Sequence, residues 1–194
     1  VTADPTWSDY YDANEGRAPR EQLLDVLGRF ARPGAAVDLG CGAGIDTVAM
    51  LERGWEVLAI DAEHDAIERL RRRAPAHATL RTKVGPMEEA QLPSVDLLWA
   101  SYSLFFCDPA RFGEVWSRIR VAVRPGGLFA GELLGDRDTW ASIEGHSAFG
   151  MAAAEALFEG WAVERFEEEE NEGEAFSGPK HWHYFHVVAK TPAS

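Results

Sequence analysis

The sequence predicts a doubly wound α/β fold: a mostly parallel sheet with helices on both faces, finished by a C-terminal antiparallel hairpin. Three observations predict it. Short apolar runs alternate with helical patterns from about residue 20 to residue 158, the order that builds parallel crossovers. Val95–Ala100 is apolar at every position except Asp96, as a strand covered on both faces should be. The last two apolar runs have no helix between them and so are expected to pair antiparallel.

The elements follow in order. Residues 1–19, polar and aromatic with Trp7, Tyr10 and Tyr11, are expected to form an N-terminal lid or substrate segment, and 20–194 a single domain. Arg20–Phe30 carries Leu23, Leu24, Leu27 and Phe30 on one helical face, and Pro33-Gly34 ends it. Ala35–Leu39 is a strand that runs into Gly40-Cys41-Gly42-Ala43-Gly44; Ile45–Glu52 is the helix after it. Trp55–Ile60 is the second strand, closed by Asp61. Ala62–Arg73 is a helix with Ile67 and Leu70 inward and three arginines at its end, where cations suit the helix dipole. Thr79–Val84 and Val95–Ala100 are the third and fourth strands. Pro109–Val123 places Phe112, Val115, Trp116, Ile119 and Val123 at helical spacing, and Pro125-Gly126-Gly127 breaks it before a fifth strand, Leu128–Leu134. A helix over Ala148–Phe158 follows. Trp161–Phe166 and Trp182–Lys190 complete seven strands, separated by an acidic stretch and a turn or loop over 173–178.

Composition narrows the function. The 194 residues suit one domain with a real core. The net charge of −13 repels phosphate backbones, so no nucleic-acid partner is expected. Two cysteines, Cys41 and Cys107, are too few for a disulfide scaffold. No apolar run reaches the ~20 residues of a membrane helix, and Val1–Tyr10 lacks the pattern of a secretory signal. A cytoplasmic protein without membrane partners is the expectation.

The glycine loop carries the chemistry. Its glycines allow left-handed turns and close ligand approach, and the helix behind it offers unpaired N–H groups. Asp61 lies 21 residues after Gly40, at the tip of the second strand, where a carboxylate can accept two hydrogen bonds from a ribose diol. A dinucleotide fingerprint needs glycine where Ile45 stands, and a phosphate-binding loop needs Lys-Ser/Thr where Ile45-Asp46 stand. The observed G-x-G-x-G, preceded by Asp38, suits a nucleoside with an amino-acid tail and a sulfonium charge: S-adenosylmethionine.

Four segments in order resemble the class I S-adenosylmethionine-dependent methyltransferases: Val37–Gly44; Val57–Asp61; Leu92-Pro93 with Val95–Ser101; and Val123–Phe129. The resemblance spans roughly residues 20–190. Within that class the chain is similar to small bacterial tellurite-resistance-type methyltransferases, through Trp7–Tyr11 with Gly16-Arg17, Gly135–Asp138 and Gly178–His183. The resemblance implies a Rossmann-like methyltransferase fold with seven strands in the order 3-2-1-4-5-7-6. It implies that Asp38 and the loop of Gly40, Gly42 and Gly44 hold the methionine end. Asp61 would hold the ribose, Met87 and Glu88 would lie by the adenine, and Ala100 to Leu104 would border the transferring methyl.

Acceptor candidates sit on the rim. Tyr10, Tyr11 and Arg17 form a lid suited to a small anionic or polarisable acceptor, or pack on the sheet edge. In His181-Trp182-His183 the two histidines share one face of a strand while His186 points the other way. Either could face the substrate, and no third ligand is identifiable, so no metal site is predicted. Phe105, Phe106, Cys107, Arg137 and Trp140 also lie near the rim. Tyr11, Arg17 and His181 are the expected catalytic residues. Glu167–Glu170, Glu172 and Glu174 read as a solvated hairpin extension. The predicted function is methyl transfer by direct displacement to a small-molecule acceptor, with S-adenosylhomocysteine as product, by a monomer or homodimer. An NAD-dependent oxidoreductase and a non-catalytic S-adenosylmethionine-binding protein are the alternatives.

Overall fold

The computed structural model describes residues 6–74, 77–176 and 178–193. Residues 1–5 of the expected N-terminal segment and Ser177 of the expected turn lie outside the described residues.

The parallel core is built from β1 (Ala35–Leu39), β2 (Glu56–Asp61), β3 (Leu80–Val84), β4 (Val95–Ala100) and β5 (Val123–Gly135). Two long strands, β7 (Ala162–Ala175) and β8 (Gly178–Lys190), finish the sheet, and a two-residue β6 (Ala148–Phe149) pairs with the end of β5. The order is β3-β2-β1-β4-β5-β8-β7, with β8 antiparallel to both neighbours. That is the expected order with β6 added.

Strand parity sorts the core into two layers. Ala36, Leu97, Trp99, Leu128, Ala130 and Val188 face α2 (Glu21–Gly28) and α3 (Ile45–Glu52) through Leu23, Val26, Leu27 and Met50. Val37, Leu39, Leu98, Ala100, Phe129 and Val187 face α5 (Phe112–Ala122) and α6 (Met151–Ala156) through Val115, Trp116, Ile119 and Ala154. Helix α4 (His64–Arg73) seals the edge with Ile67 and Leu70 against Ala59. Among the described residues, no helix is long and apolar enough to cross a membrane.

Four local expectations are corrected. The aromatic N-terminus contains a helix, α1 (Trp7–Ala13), started by a reciprocal cap: Thr6 and Asp9 each bind the other's backbone N–H. The helix expected over 148–158 begins only at Met151, because Ala148 and Phe149 pair with Leu134 and Gly135 before Gly150 turns the chain. Strand β5 starts at Val123 rather than 128, because Val123 already pairs with Val95 and the ladder then shifts register across the Pro-Gly-Gly segment.

The largest difference is the hairpin. The ladder runs unbroken from Phe166↔Val187 to Ala175↔Gly178, so the acidic stretch is strand. Seven glutamates on β7 should repel, but arginines and histidines bind most of them. Glu169 meets His186 at 2.7 Å, Glu168 meets His183 at 2.9 Å, and Glu170 and Glu172 meet His181 at 3.0 and 2.8 Å. Arg137 adds bonds to Glu168 and Glu170 at 2.6 and 2.7 Å.

His183 shows how tightly the hairpin base is built. Its ring is buried and its Nδ1 accepts the Arg137 N–H at 3.1 Å, so its proton sits on Nε2 and points at Glu168. A methyl on Gly135 would overlap that ring. Gly135→Ala is therefore expected to lower stability by about 1–3 kcal/mol, the usual range for overpacking, read as a lower urea midpoint. An unchanged midpoint would show that the ring has room to move.

Candidate functional site

The parallel strands β1, β2 and β4 end together on one rim. After β1 the chain turns through Gly40, Gly42 and Gly44 at φ +78°, +52° and +80°, the left-handed region that favours glycine. The N–H groups of Gly40 and Cys41 both donate to the Ile60 carbonyl, at 2.8 and 3.0 Å, which pins the loop to the end of β2. A methyl at Gly40 would collide with Ser103, and one at Gly44 with Leu70. Above Gly42 the nearest atom to such a methyl is Tyr11 Cε1 at 3.6 Å. The loop is thus clamped from below and covered from above by Tyr11 of α1.

Asp61 joins this loop. Its Oδ2 accepts the Gly42 N–H at 2.7 Å and its Oδ1 accepts the Glu63 N–H at 2.9 Å. Burial pushes its pKa up, and the two N–H groups pull it back. Asp38 is buried within β1 and accepts from the Thr47 hydroxyl at 2.5 Å. Burial, with Asp46 and Asp61 nearby, pushes its carboxyl up to about 8 against the pull of Thr47 and Arg17. Ala100 ends β4, buried. Beyond it the Ser101 hydroxyl oxygen is buried with no hydrogen-bond partner.

Met87 and Glu88 lie in a short 3-10 turn after β3. Met87 packs against the core. Glu88 Oε1 accepts the Asp108 N–H at 2.8 Å, and its backbone carbonyl accepts from Arg111 and Arg118, so the turn is tied to α5.

Tyr11 is buried over the loop, where burial and then the charge of Asp61 push its phenol pKa well above the ordinary value. It stays protonated at neutral pH. Arg17 reaches Asp46 at 3.4 Å and donates to the Ala18 carbonyl at 2.9 Å, so its charge is already matched. His181 stands elsewhere, on the outer part of the hairpin between Glu170 and Glu172, which raise its pKa.

A cleft of about 790 Å³ opens beside this rim. Arg17, Arg20, Tyr102, Glu132, His186 and Glu167–Glu170 contribute to its lining; His181 does not. Tyr102 falls within the Ala100–Leu104 stretch expected beside the methyl, whereas three other lining residues, Arg20, Glu132 and His186, are not among the expected site residues. Glu132 left one signal, as the lone acid in the apolar run Leu128–Leu134. His186 left another, its opposite parity to His181 and His183. Glu132 is 1% exposed, and its Oε2 accepts the Tyr102 N–H at 2.9 Å. His186 lies between Glu132 at 3.5 Å and Glu169 at 2.7 Å; burial lowers its pKa, but the two carboxylates outweigh that and raise it.

Among the described residues, Glu168, Glu170 and His183 bring ligand atoms within 4.8 Å of one another. The Arg137 guanidinium binds both glutamates, and His183 donates to one of them. The group is a closed ion-pair network.

Residues 36–127 match the family described as the methyltransferase domain. Over those residues the chain is similar to the methyltransferase domains of the class I S-adenosylmethionine-dependent enzymes. Over 137 residues it is 31% identical to the malonyl-[acyl-carrier protein] O-methyltransferase of Serratia marcescens, covering 66% of this chain and 46% of that one. The chain spans about half the length of the curated relatives it matches. Among solved structures it is similar to TehB from Haemophilus influenzae, with a TM-score of 0.80 at 15% identity, over 95% of this chain and 66% of that one. The N-methyltransferase NodS from Bradyrhizobium japonicum, solved with S-adenosylhomocysteine, gives 0.70 at 19% identity, over 88% of this chain and 84% of that one. At such identities the two structures speak for the fold.

Proposed function

We propose that this protein moves the methyl group of S-adenosylmethionine to a small-molecule acceptor held in the cleft beside Tyr102, leaving S-adenosylhomocysteine. The observation that carries the reading is the loop of three left-handed glycines whose middle N–H reaches Asp61. That loop, with the unpartnered Ser101 hydroxyl at the end of β4, fits the group. When bound, the sulfonium supplies an electrophilic methyl. The chain's own residues bind, align and exclude water. Asp61 would accept from the ribose hydroxyls. Asp38 and the N–H groups of the loop would face the amino-acid end. Met87 and Glu88 would edge the adenine, and Ala100 would wall the methyl. Tyr11 would cover the loop.

Residues 1–19 are read as the cover of this site and 20–194 as its body. Two contacts support that reading: Arg69 of α4 binds Asp12 and Ser8 of α1 at 2.5 and 2.9 Å, and Trp7 packs edge-on to Phe106 at 5.1 Å. For the acceptor, the lining has more carboxylates than arginines, and Arg17 and Arg165 are paired with Asp46 and Glu167. This balance favours a neutral or cationic nucleophile over the anion that the arginine lid alone would suit. His181 is not retained as a base. A cytoplasmic monomer or homodimer goes with this reading.

The test is calorimetric titration of S-adenosylmethionine, S-adenosylhomocysteine and NADH. Micromolar binding of the first two and none of NADH is expected. Asp61→Ala should weaken S-adenosylmethionine at least about tenfold, the worth of one good charged hydrogen bond. Binding with no turnover across a broad acceptor screen would leave a non-catalytic binder. NADH binding in preference to both sulfur nucleosides would overturn the cofactor.

A further inference from the structure

Tyr102 is the only non-glycine among the described residues with a left-handed backbone, at φ +50°. It is the second residue after β4, the strand that ends against the glycine loop's clamp at Ser103. A bulky residue held in that conformation is strained, and strain persists only where the surroundings over-determine it.

The surroundings are specific. The β4–β5 ladder ends at Ala100↔Gly131, where the strands lie so close that a methyl on Gly131 would overlap the Ala100 carbonyl. The next residue of β5 is Glu132. Its side chain, not its backbone, takes the Tyr102 N–H, at 2.9 Å. The carboxylate thus ends the ladder and turns the chain. The Tyr102 ring is then fixed on three sides. The Arg20 guanidinium lies 4.3 Å over its centre, Tyr184 meets it edge-on at 5.1 Å, and His186 at 6.3 Å. His186 in turn links Glu132 to Glu169 on the edge strand. A carboxylate 1% exposed within the apolar run Leu128–Leu134 is costly to bury, and nothing in sheet packing alone requires it.

We propose that Glu132 is a positioning residue: its buried carboxylate holds Tyr102 in the left-handed conformation and so sets the wall of the acceptor cleft next to the methyl group. The proposal rests on the methyltransferase reading for its function, but its geometry stands apart from it. Glu132 acts through Tyr102, and Arg20 and His186 secure the two ends of the arrangement. The group that must accept the Tyr102 N–H can be a carboxylate or an amide oxygen. A thioether of the same length cannot do it.

That distinction supplies the test. Glu132→Gln and Glu132→Met are compared with wild type in three measurements: crystal structures with S-adenosylhomocysteine, calorimetry with S-adenosylmethionine, and S-adenosylhomocysteine release in the presence of thiophenol, catechol or benzylamine. Glu132→Gln is expected to keep Tyr102 near φ +50° and to keep turnover within about threefold. Glu132→Met is expected to let Tyr102 relax to negative φ and to lose at least about thirtyfold in kcat, the scale set by a misplaced reacting group, with cofactor affinity unchanged in both. A positive φ at Tyr102 in Glu132→Met, or equal turnover in the two variants, would overturn the proposal. If wild type binds no S-adenosylmethionine, the transferase reading fails while the backbone of Tyr102 in the two variants still decides the positional claim. Should Glu132→Met not fold, the double variant Tyr102→Gly/Glu132→Met decides, because glycine takes φ +50° unaided. That variant is expected to fold and bind S-adenosylmethionine. Its failure would give Glu132 a purely structural role.

Discussion

Lys180→Ala is expected to lower stability by about 3–5 kcal/mol, the cost of stranding one partner of a buried ion pair. Lys180 and Asp138 are both buried, with side chains 1% and 0% exposed, and the ammonium lies 2.6 Å from Oδ1 and 2.7 Å from Oδ2 of the carboxylate. The same two oxygens accept the Trp140 N–H at 2.8 Å and the His183 N–H at 2.9 Å. One carboxylate therefore ties the turn after β5 to the start of β8. Three rings surround the cation: Trp182 at 3.8 Å, Trp140 at 4.2 Å and Tyr184 at 5.0 Å. Burial pulls the Lys180 pKa down and Asp138 holds it up against that pull. Urea unfolding measures the loss. Lys180→Met should cost nearly as much, because the stem fills space but cannot neutralise Asp138. Adding Asp138→Asn to Lys180→Met should return part of the loss, since it removes the buried charge while its single amide oxygen keeps one of the two backbone N–H bonds, to Trp140 or to His183. A loss below about 1 kcal/mol in Lys180→Ala would mean that water reaches Asp138 when the lysine is gone.

Which parts of this molecule could be read in advance follows from the range of the forces involved. The inner parallel strands were legible because burial on both faces leaves a local mark, an apolar run such as Val95–Ala100. The glycine loop and Asp61 were legible for a related reason: a backbone that must turn left-handed three times in five residues has few alternatives to glycine. The acidic stretch was legible as a hairpin extension, but not as an unbroken strand ladder reaching Ala175. Glu167–Glu170 repel in isolation; Arg165 pairs with Glu167 within the strand, and Arg137, His181, His183 and His186, brought in from other segments, meet the other three. Helix α1 did leave a signal, Thr6 and Asp9 at capping-box spacing, within the segment expected only as a lid. At the site, residues set by one strand end were found, whereas those set by strand order were not. Glu132 and His186 are 54 positions apart in sequence and directly opposed in the sheet. Their partnership depends on β8 inserting between β5 and β7. His181 was favoured because two histidines share its face, yet that face at its end of the strand looks away from the cleft, into the glutamates of the edge.

The affinity for S-adenosylmethionine is expected to rise roughly tenfold from pH 6 to 7, near the limiting slope for coupling to one proton, and then only about threefold more by pH 8. The Asp38 carboxyl is pushed up to about 8, first by burial and then by Asp46 and Asp61, against the pull of the Thr47 hydroxyl and Arg17. The ligand-free protein therefore keeps this proton where the unfolded chain, with an ordinary carboxyl near 3.8, has lost it. Across that window the folded state binds more protons, so this group's contribution to stability falls as pH rises from about 4 to about 8. A cationic ligand at the amino-acid end reverses the preference: it favours the ionised carboxylate and expels the proton on binding. Binding thus grows stronger with pH until Asp38 is ionised without help. Above pH 8 the curve should turn down, because the ligand's own α-amino group, near 7.7–8.0 by type, loses its charge. Asp38→Asn should remove the rising limb and keep the falling one. Calorimetry at pH 6, 7, 8 and 9, in buffers of different ionisation enthalpy, reads both the affinity and the proton released. A flat rising limb in wild type, with no proton released at pH 7, would take Asp38 out of contact with the ligand's amine and leave that end to the N–H groups of the glycine loop.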